Sequence, residues 1–477
     1  MTTLDSHAGT RRATAVAAAA AVGGFLFGFD TAVINGAVDA LTDHFELGSA
    51  LSGFAVACAL LGSAIGAWFA GPVADRIGRV RVMLLAAALF GTSSLGSGLA
   101  VTVWDLMGWR VLAGVGVGVA SVIAPAYIAE ISPAAIRGRL GSLQQLAIVS
   151  GIFLALLSDA VVADWAGGAA NTLWWGLGAW RWMFLIGLIP AVIYALLAWG
   201  LPESPRFLVA RGRLEEAAGV LRRLDAGTPG VVQTKITDIA AALGGTTRPR
   251  LADLRGRRAG LLPIVWVGIL LSVFQQFVGI NVIFYYSTSL WRSVGFSESD
   301  SFTITVITSV TNIVVTIAAI AAIDKVGRKP LLIGGSVGMT LSLATMAVCF
   351  SQASGSGSDL SLPGAYGTVA LVAANLFVVF FGVSWGPVVW VLLGEIFPSH
   401  IRAAALSVAA AAQWIANFIV SSTFPVLAAA GLVFAYGIYA LFALLSGLFV
   451  VRVVDETKGR ELEEIGGATA LGSAGER

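Results

Sequence analysis

The stretch Glu130-Ile-Ser-Pro-Ala-Ala-Ile-Arg137 recurs in the second half of the chain as Glu395-Ile-Phe-Pro-Ser-His-Ile-Arg402. Glu, Ile, Pro, Ile and Arg occupy the same offsets in both copies. A second matching pair, Asp75-Arg-Ile-Gly-Arg79 and Asp324-Lys-Val-Gly-Arg328, precedes these copies in the same order. Each copy lies at the end of a long apolar stretch, so chance is a poor explanation for two matches in the same order. We therefore interpret the chain as two parallel repeats.

The composition of the chain excludes a water-soluble fold. Of 477 residues, 29 are Lys or Arg and 27 are Asp or Glu, so charged residues make up 12% and hydrophobic residues 57%. Soluble proteins carry roughly 25% charged residues, and large soluble domains still expose about a quarter of their unfolded surface. The two cysteines lie in apolar runs, which argues against a disulfide scaffold, and a net charge of +2 gives no attraction to nucleic acid. The composition is that of a polytopic membrane protein.

Twelve stretches are long and apolar enough to cross a membrane as helices, because a bilayer core of about 30 Å requires about 20 apolar residues. The predicted spans are roughly 14–38, 49–72, 80–103, 106–130, 141–163, 181–201, 261–290, 302–323, 330–350, 365–394, 402–427 and 431–454. Lys and Arg concentrate in alternate connections, which predicts that both termini are cytoplasmic. The opposite, outer connections are expected to contain Asp39, Asp159 and Asp164.

The spans divide into an N-terminal six-helix bundle, 14–201, and a C-terminal six-helix bundle, 261–454. This organisation predicts an all-α polytopic membrane protein with twelve transmembrane helices. A polar cytoplasmic linker with short helices, 202–260, separates the bundles, and a cytoplasmic N-terminus (1–13) and tail (455–477) flank them. A transporter built from repeats holds its substrate near the membrane midplane between those repeats.

The repeated charges at the cytoplasmic helix ends have two interpretations. They form salt bridges that tie the two halves together when the inner side is closed, or they are orienting charges that contact lipid headgroups. We favour the first, because acids and bases occur together in both repeats. The expected members of this cytoplasmic gate are Asp75, Arg79, Glu130, Arg137, Arg139, Glu203, Arg206, Asp324, Arg328, Glu395 and Arg402.

Two ionisable residues lie inside predicted spans, Asp30 in the first and Arg110 in the fourth. At 1.5 Å per residue, Asp30 lies about 6 Å and Arg110 about 10 Å below the outer boundary of the bilayer core. Similar depth predicts that the two side chains are partners. The pair is either a static tie between helices or a proton switch, and we favour the switch because a buried ion pair is a weak source of stability.

Side-chain amides cluster in the seventh predicted span at Gln275, Gln276 and Asn281. An amide supplies donors and an acceptor without charge, which suits the hydroxyls of a sugar, while aromatic faces suit its apolar ring surface. These amides line one face only if the helix is distorted, and Gly279 makes a distortion there plausible. The alternative is that they join neighbouring helices, which is a common use of amides in membrane bundles.

Over residues 14–460 the chain resembles the sugar porter family of the major facilitator superfamily. The motifs that carry this resemblance are Asp75–Arg79 with its repeat, Pro202-Glu-Ser-Pro-Arg206, Gln275-Gln-Phe-Val-Gly-Ile-Asn281, and Gly386-Pro-Val-Val-Trp390 followed by Glu395-Ile-Phe-Pro398. The likeness is greatest to bacterial glucose– or xylose–proton symporters. It implies a secondary active transporter that takes up glucose, or alternatively xylose or galactose, with a proton by alternating access.

The resemblance also implies which residues act. It assigns proton coupling to Asp30 and Arg110, because proton-coupled members have an acid at this place. Pro387 removes a backbone hydrogen bond and so predicts a hinge at Gly386-Pro387. The resemblance implies that this hinge is a moving gate and that Tyr285–Ser287 is the outer gate. The implied sugar contacts and their neighbours are Gln145, Gln275, Gln276, Asn281, Trp390, Gln413, Phe27, Tyr285, Asn312, Gly386 and Trp414. One departure is Ile152, where some xylose symporters have a second amide, and it favours glucose slightly.

Three other functions remain open: a facilitative sugar uniporter, a drug–proton antiporter and a membrane sugar sensor. The sequence contains no phosphate-binding loop, no metal-ligand spacing and no nucleophile–base pair, so we expect neither an enzyme nor a cofactor or metal. The expected partners are a monosaccharide, a proton and the lipid bilayer, without nucleic acid. We expect a protein of the bacterial inner or plasma membrane that functions as a monomer.

Overall fold

The computed structural model describes residues 3–132, 137–225, 229–245, 254–256, 260–354, 361–397 and 401–457. Within these residues, twelve helical segments are long and apolar enough to cross a membrane. The predicted number of spans and the all-α fold class are therefore confirmed.

The first six spans are built from seven helices. Five spans are single helices, and the sixth consists of two consecutive helices. Their bounds are α1 Thr3–His44, α2 Ser49–Ile77, α3 Arg79–Gly98, α4 Val103–Ile131, α5 Arg137–Ala166, α6 Ala179–Ile186 and α7 Leu188–Trp199.

Three short helices follow, α8 Pro205–Ala210, α9 Leu214–Asp225 and α10 Pro229–Gly245. They share a small apolar core that includes Phe207 and Leu221. This segment is the linker in which the sequence predicted short helices.

The last six spans are interrupted in two places. Two short helices follow the seventh span's first helix, and the tenth span is divided by a break at Ser384. The bounds are α11 Pro263–Phe277, α12 Ile280–Tyr285, α13 Ser287–Ser293, α14 Glu298–Val326, α15 Arg328–Ser351, α16 Tyr366–Val383, α17 Trp385–Ile396, α18 Arg402–Ala430 and α19 Leu432–Val453.

The repeated Asp-x-x-Gly-Arg motif forms the same turn in both halves. Gly78 lies between α2 and α3 with φ of 99°, and Gly327 lies between α14 and α15 with φ of 103°. Residues with a Cβ rarely adopt positive φ, so glycine allows one long helix to end and the next to begin one residue later. The sequence repeat is therefore also a repeat of backbone geometry. We call the helix ends that carry Arg79 and Arg328 the inner end, and the opposite helix ends the outer end.

The chain forms two compact units. The first comprises Met1–Val33, Leu61–Ser158 and Arg181–Arg248, and the second comprises Ile34–Leu60, Asp159–Trp180 and Pro249–Arg477. Outer-end segments of α1, α2 and α5 thus belong to the same unit as the last six spans. Contacts within this second unit join them, for example the ring of Phe54 on α2, whose centroid lies 6.1 Å from that of Phe418 on α18.

Asp159 does not lie in an outer connection, and that prediction was wrong. It belongs to α5, which continues to Ala166, and its side chain is fully buried. Asp39 is also helical, because α1 continues to His44. The error has a simple cause: we took acidic residues as markers of a connection, whereas helix packing buries Asp159 within a span.

Candidate functional site

Asp30 and Arg110 form the ion pair expected from their depths. Nη1 of Arg110 donates to Oδ1 of Asp30 at 2.6 Å, and Nη2 reaches the backbone oxygen of Asp30 at 3.4 Å. Both residues are almost completely buried, at 5% and 3% exposure. The guanidinium also lies 5.7 Å from the ring centroid of Phe184, which adds a cation–π contact.

The surroundings of this ion pair are poor in other polar partners. Nε of Arg110 is buried and has no hydrogen-bond partner among the described residues. A cavity of about 10 Å³, room for about one water molecule, adjoins the pair and is lined in part by Ser93, Ser94 and Ser97 of α3. Protonation of Asp30 would remove the only carboxylate that Arg110 contacts among the described residues, so this pair is chemically able to report proton binding.

The amides of the seventh span are connected to one another and to the tenth span. Nε2 of Gln275 donates to the backbone oxygens of Trp385 and Gly386 at 2.8 and 3.2 Å. Nε2 of Gln276 donates to Oε1 of Gln275 at 3.3 Å, and Nδ2 of Asn281 donates to Oε1 of Gln276 at 2.5 Å. The three predicted amides therefore form one continuous polar row.

Gly279 supplies the helix distortion on which this row depends. It adopts the left-handed conformation with φ of 85° between the end of α11 and the start of α12. A Cβ at this position would lie 2.8 Å from the ring of Tyr439. The break brings Asn281 onto the same side as Gln276, which the regular spacing of a helix would not do.

Three other predicted amides lack hydrogen-bond partners among the described residues. Oε1 of Gln413 is a buried acceptor without a donor, and the side chains of Gln145 and Asn312 make no hydrogen bonds. Asn312 is 8% exposed and Gln145 is half-buried. Buried polar groups in native proteins are normally paired, so these amides are suited to accept a hydroxyl-rich ligand.

The tenth span breaks at Ser384, two residues before Gly386 of the predicted Gly386-Pro387 pair. α16 ends at Val383, and Ser384 has non-helical angles of −128° and −90°. Pro387 lacks the N–H that would donate to the oxygen of Val383, so the break appears one turn upstream of the proline. The sequence therefore identified the cause of the break and misplaced its position.

Trp385 is the tryptophan anchored at this break, and we did not predict a role for it. Its ring is fully buried, and Nε1 donates to Oγ of Ser336 at 2.9 Å and to the oxygen of Leu332 at 3.2 Å. Trp390, which we predicted as a sugar contact, is 45% exposed. The remaining predicted neighbours, Phe27 and Trp414, are half-buried.

At the inner end, charged residues of the first half form ion pairs with one another. Arg79 makes a bidentate ion pair with Glu130, with both distances 3.1 Å, and reaches Asp75 at 3.1 Å. Glu203 accepts the N–H of Arg79 at 2.9 Å at the start of α3, where a carboxylate is favourable. Ser204 donates to Glu130 at 2.5 Å.

The second half repeats this arrangement. Arg328 pairs with Glu395 at 2.9 Å, and Glu456 accepts the N–H groups of Arg328 and Lys329, each at 3.0 Å. Thr457 donates to Glu395 at 2.5 Å. Glu456 and Thr457 thus match Glu203 and Ser204. We did not predict this correspondence, although a Glu followed by a hydroxyl residue occurs in both places in the sequence.

The described inner-end ion pairs lie within halves. Arg79 with Glu130, and Arg328 with Glu395, each join helices of the same half. The ties between the halves that we expect when the inner side is closed stay a prediction. Arg206 is exposed and makes no ion pair among the described residues. The side chains of four predicted gate residues lie outside the described part of the chain: Arg137, Arg139, Asp324 and Arg402.

A group of polar residues at the outer end joins α1 to α12 and α13, and we call it the outer polar cluster: Asn35, Asp39, Phe284 through its carbonyl, Thr288, Ser289 and Arg292. Nδ2 of Asn35 donates to the oxygen of Phe284 at 3.0 Å, and its Oδ1 accepts from the N–H (3.3 Å) and the hydroxyl of Thr288. Asp39 accepts from Ser289 at 2.5 Å and from Arg292 at 2.8 Å.

The predicted outer gate lies next to this cluster. α12 ends at Tyr285 and α13 begins at Ser287, so the chain bends at Tyr286. The Tyr286 hydroxyl donates to the oxygen of Ser421 at 2.7 Å, and Nδ2 of Asn417 approaches the Tyr285 hydroxyl at 3.4 Å. Asn35, Thr288 and Asn417 were not predicted, because isolated small polar residues in a span resemble ordinary helix-packing positions.

The chain matches the family described as sugar (and other) transporter over residues 16–468. This chain belongs to the sugar porter family of the major facilitator superfamily. It is 58% identical to a glucose transport protein of Synechocystis over 97% of this chain and 98% of that protein. It is 37% identical to the D-xylose–proton symporter of Escherichia coli K12 over 94% and 93% of the two chains.

A solved structure agrees with this assignment. The inward open conformation of the xylose transporter XylE from E. coli superposes with a TM-score of 0.80 at 37% identity, covering 95% of this chain and 99% of that one. As a sugar porter, the chain is a multi-pass membrane protein and a secondary transporter, not an enzyme. The resemblance deduced from the sequence motifs is therefore confirmed at the level of family and fold.

Proposed function

We propose that this sugar porter imports a glucose-like monosaccharide together with a proton by alternating access. The observation that carries the proposal is the buried ion pair between Asp30 and Arg110. Ionisable residues inside a membrane span cost stability, and residues retained at such a cost typically serve the transport cycle. A relative at 37% identity is a D-xylose–proton symporter, which supports proton coupling.

The proton acts by changing what Arg110 contacts. When Asp30 is ionised, its carboxylate compensates the buried guanidinium of Arg110. Binding of a proton neutralises the carboxylate, and a buried charge left without its partner costs about 3–5 kcal/mol. At about 1.4 kcal/mol per factor of ten, that cost changes the balance between two conformations by two to three orders of magnitude.

The sugar binds to the amides. Gln275, Gln276 and Asn281 present a connected row, and Gln413 and Gln145 add side chains with unused hydrogen-bonding capacity. Uncharged donors and acceptors match a neutral polyol, and this argues against the drug–proton antiporter, for which an aromatic and acidic site would be suited. Trp390, Phe27, Tyr285, Asn312, Gly386 and Trp414 complete the proposed contacts.

We assign glucose rather than xylose as the preferred sugar on two grounds. Ile152, which is buried, occupies a place where some xylose symporters have an amide, so the pocket is more apolar there. The relative at 58% identity is a glucose transport protein, whereas the xylose relatives are 36–37% identical.

The proposed setting is a bacterial cell membrane with both termini in the cytoplasm. The proposed domains are the bundles 14–201 and 261–454 with the linker 202–260 between them. The inner-end charges Asp75, Arg79, Glu130, Glu203, Arg328 and Glu395 then form the cytoplasmic gate, with Arg137, Arg139, Arg206, Asp324 and Arg402 as further proposed members. One chain, embedded in lipid and acting as a monomer, suffices for this function.

Purified protein in liposomes tests the proposal. Sugar uptake by the wild type should alkalinise the outside medium and should concentrate glucose when the outside is acidic. Asp30→Asn should lose accumulation but keep sugar exchange, because the sugar-binding amides are intact. Asp105→Asn, an exposed acid at the start of α4, is the matched control and should accumulate glucose normally.

The outcomes separate the competing functions. Uptake without any proton movement would identify a facilitative uniporter, and accumulation by Asp30→Asn would show that this residue does not couple the proton. Absence of sugar flux in the wild type would favour a sensor.

A further inference from the structure

Asp159 is a second buried acid that the proposed coupling mechanism does not use. It lies on α5, seven residues before the helix end at Ala166, and none of its surface is exposed. Oδ2 accepts the backbone N–H of Gly36 on α1 at 3.3 Å, and Oδ1 has no hydrogen-bond partner among the described residues. A carboxylate in such surroundings is almost unsolvated.

No positive charge compensates Asp159. Among the described residues, Gly36 is the only group that hydrogen-bonds to it, and no Lys, Arg or His pairs with it. The ionisable groups of the surrounding segments have other partners or are exposed: Asp30 with Arg110, Asp39 with Arg292, Glu298 with the N–H of Ala169, Asp300 with Ser297, and exposed Asp43, His44, Glu46 and Asp164. An ion pair therefore cannot keep Asp159 charged in this conformation.

Gly36 allows α1 and α5 to meet closely at this point. A Cβ on residue 36 would lie 2.7 Å from Cβ of Asp159, so the carboxyl group is pressed directly against the α1 backbone. Neighbouring Asn35 binds Phe284 and Thr288 in the outer polar cluster. The contact that buries Asp159 is thus continuous with the contacts that join α1 to α12 and α13 at the outer end.

We propose that Asp159 is a second proton-binding residue, distinct from Asp30, that must be neutral for the outer ends of α1 and α5 to pack together. The proton resides on the carboxyl group when the outer end is closed and comes from the outside solution when that end opens. The neutral acid leaves one oxygen free to accept from Gly36 and removes the cost of an unpaired buried charge. Protons thereby favour closure of the outer end independently of sugar coupling.

The closed state holds the proton, and this decides how closure of the outer end depends on pH. Closure requires the protonated form, so Asp159 does not oppose closure at low pH, and closure is lost as pH rises through the titration of Asp159. One proton gives a limit of about tenfold per pH unit. Sugar exchange requires the outer end to close and open repeatedly, and the exchange rate should therefore fall on the alkaline side.

Counterflow of labelled glucose in liposomes, at equal pH on both sides and between pH 6 and 9, tests the proposal. We expect the wild-type exchange rate to fall above a transition by up to about tenfold per pH unit. Asp159→Asn should remove this fall, because the amide cannot lose a proton. Asp164→Asn, an exposed acid on the same helix, should retain it. An Asp159→Asn profile that matches the wild type would overturn the proposal.

Infrared spectroscopy gives a second, independent measurement. At neutral pH the wild type should show a protonated carboxylic acid signal that disappears in Asp159→Asn, and its persistence in that variant would also overturn the proposal. If Asp159→Asn does not fold, Asp159→Glu should shift the midpoint of the alkaline fall, and an unchanged midpoint would contradict us. The inference rests on the proposed sugar transport alone. Equal pH removes the driving force but not the titration of Asp30, so the comparison is repeated in Asp30→Asn, which keeps sugar exchange. The alkaline fall should persist in Asp30→Asn and disappear when Asp159→Asn is added, and its persistence in the double variant would overturn the proposal; the accumulation assay tests coupling at Asp30 separately.

Discussion

Removal of the Asn35 side chain should open the outer end. In Asn35→Ala, three hydrogen bonds of a residue only 1% exposed disappear: one to the oxygen of Phe284 and two from Thr288. A buried polar group left unpaired costs about 1–3 kcal/mol. The oxygen of Phe284 and the two donors of Thr288 share one site, so the costs of leaving them unpaired do not add in full. We therefore expect a net loss of about 2–3 kcal/mol, which corresponds to a roughly 30- to 150-fold larger open population.

The native thiol of Cys58 provides the assay. Cys58 is fully buried in the segment of α2 that belongs to the second compact unit, so a membrane-impermeant thiol reagent should reach it only after opening. Its labelling rate then reports the open population. Cys349 should first be replaced by Ser so that a single thiol remains.

Ser293→Ala is the matched control, because within the described part of the chain the Ser293 hydroxyl bonds only the oxygen of Leu290 in α13. The reasoning is refuted if Asn35→Ala labels at a rate within about twofold of this control, which is the scatter expected of a neutral surface change.

Two further predictions concern sugar affinity and helix capping. Gln413→Ala should raise the KM for glucose by about fivefold with little change in kcat, because one neutral hydrogen bond contributes about 1 kcal/mol. Exposed Gln352→Ala is the control, and equal KM values in counterflow would contradict the assignment. Glu456→Gln should destabilise the protein by about 0.5–2 kcal/mol and lower its Tm, because Glu456 accepts the N–H groups at the start of α15. Glu203→Gln should have the same effect at the start of α3. Exposed Glu215→Gln is the control and should leave the Tm unchanged in the same thermal unfolding measurement.

The local sequence was sufficient to predict features that depend on only a few neighbouring residues. Pro387 and Gly279 predicted distortions in two spans because each residue alters its own backbone, although the break near Pro387 begins at Ser384. Depth along a helix is a local count, so the contact between Asp30 and Arg110 was also predictable. Their roles in proton coupling remain predictions.

Side-chain partners across helices were not predictable from local patterns. The outer polar cluster joins Asn35 on α1 to Thr288 on α13, positions far apart in the chain, and no spacing rule links them. Asp159 was misplaced for the same reason, because its burial depends on how closely Gly36 allows α1 to approach α5. We predicted which residues take part in the inner-end ion pairs, but not that the described pairs join helices of the same half.

By itself, the amino-acid sequence determined that this protein spans the membrane twelve times as two related halves, since hydropathy and repeated motifs act along the chain. Only the tertiary structure decided which polar groups meet and which are left alone. Helix packing brings together backbone and side chains from distant positions, and the resulting burial decides whether a carboxylate such as Asp30 finds a cation or, like Asp159, has none among the described residues.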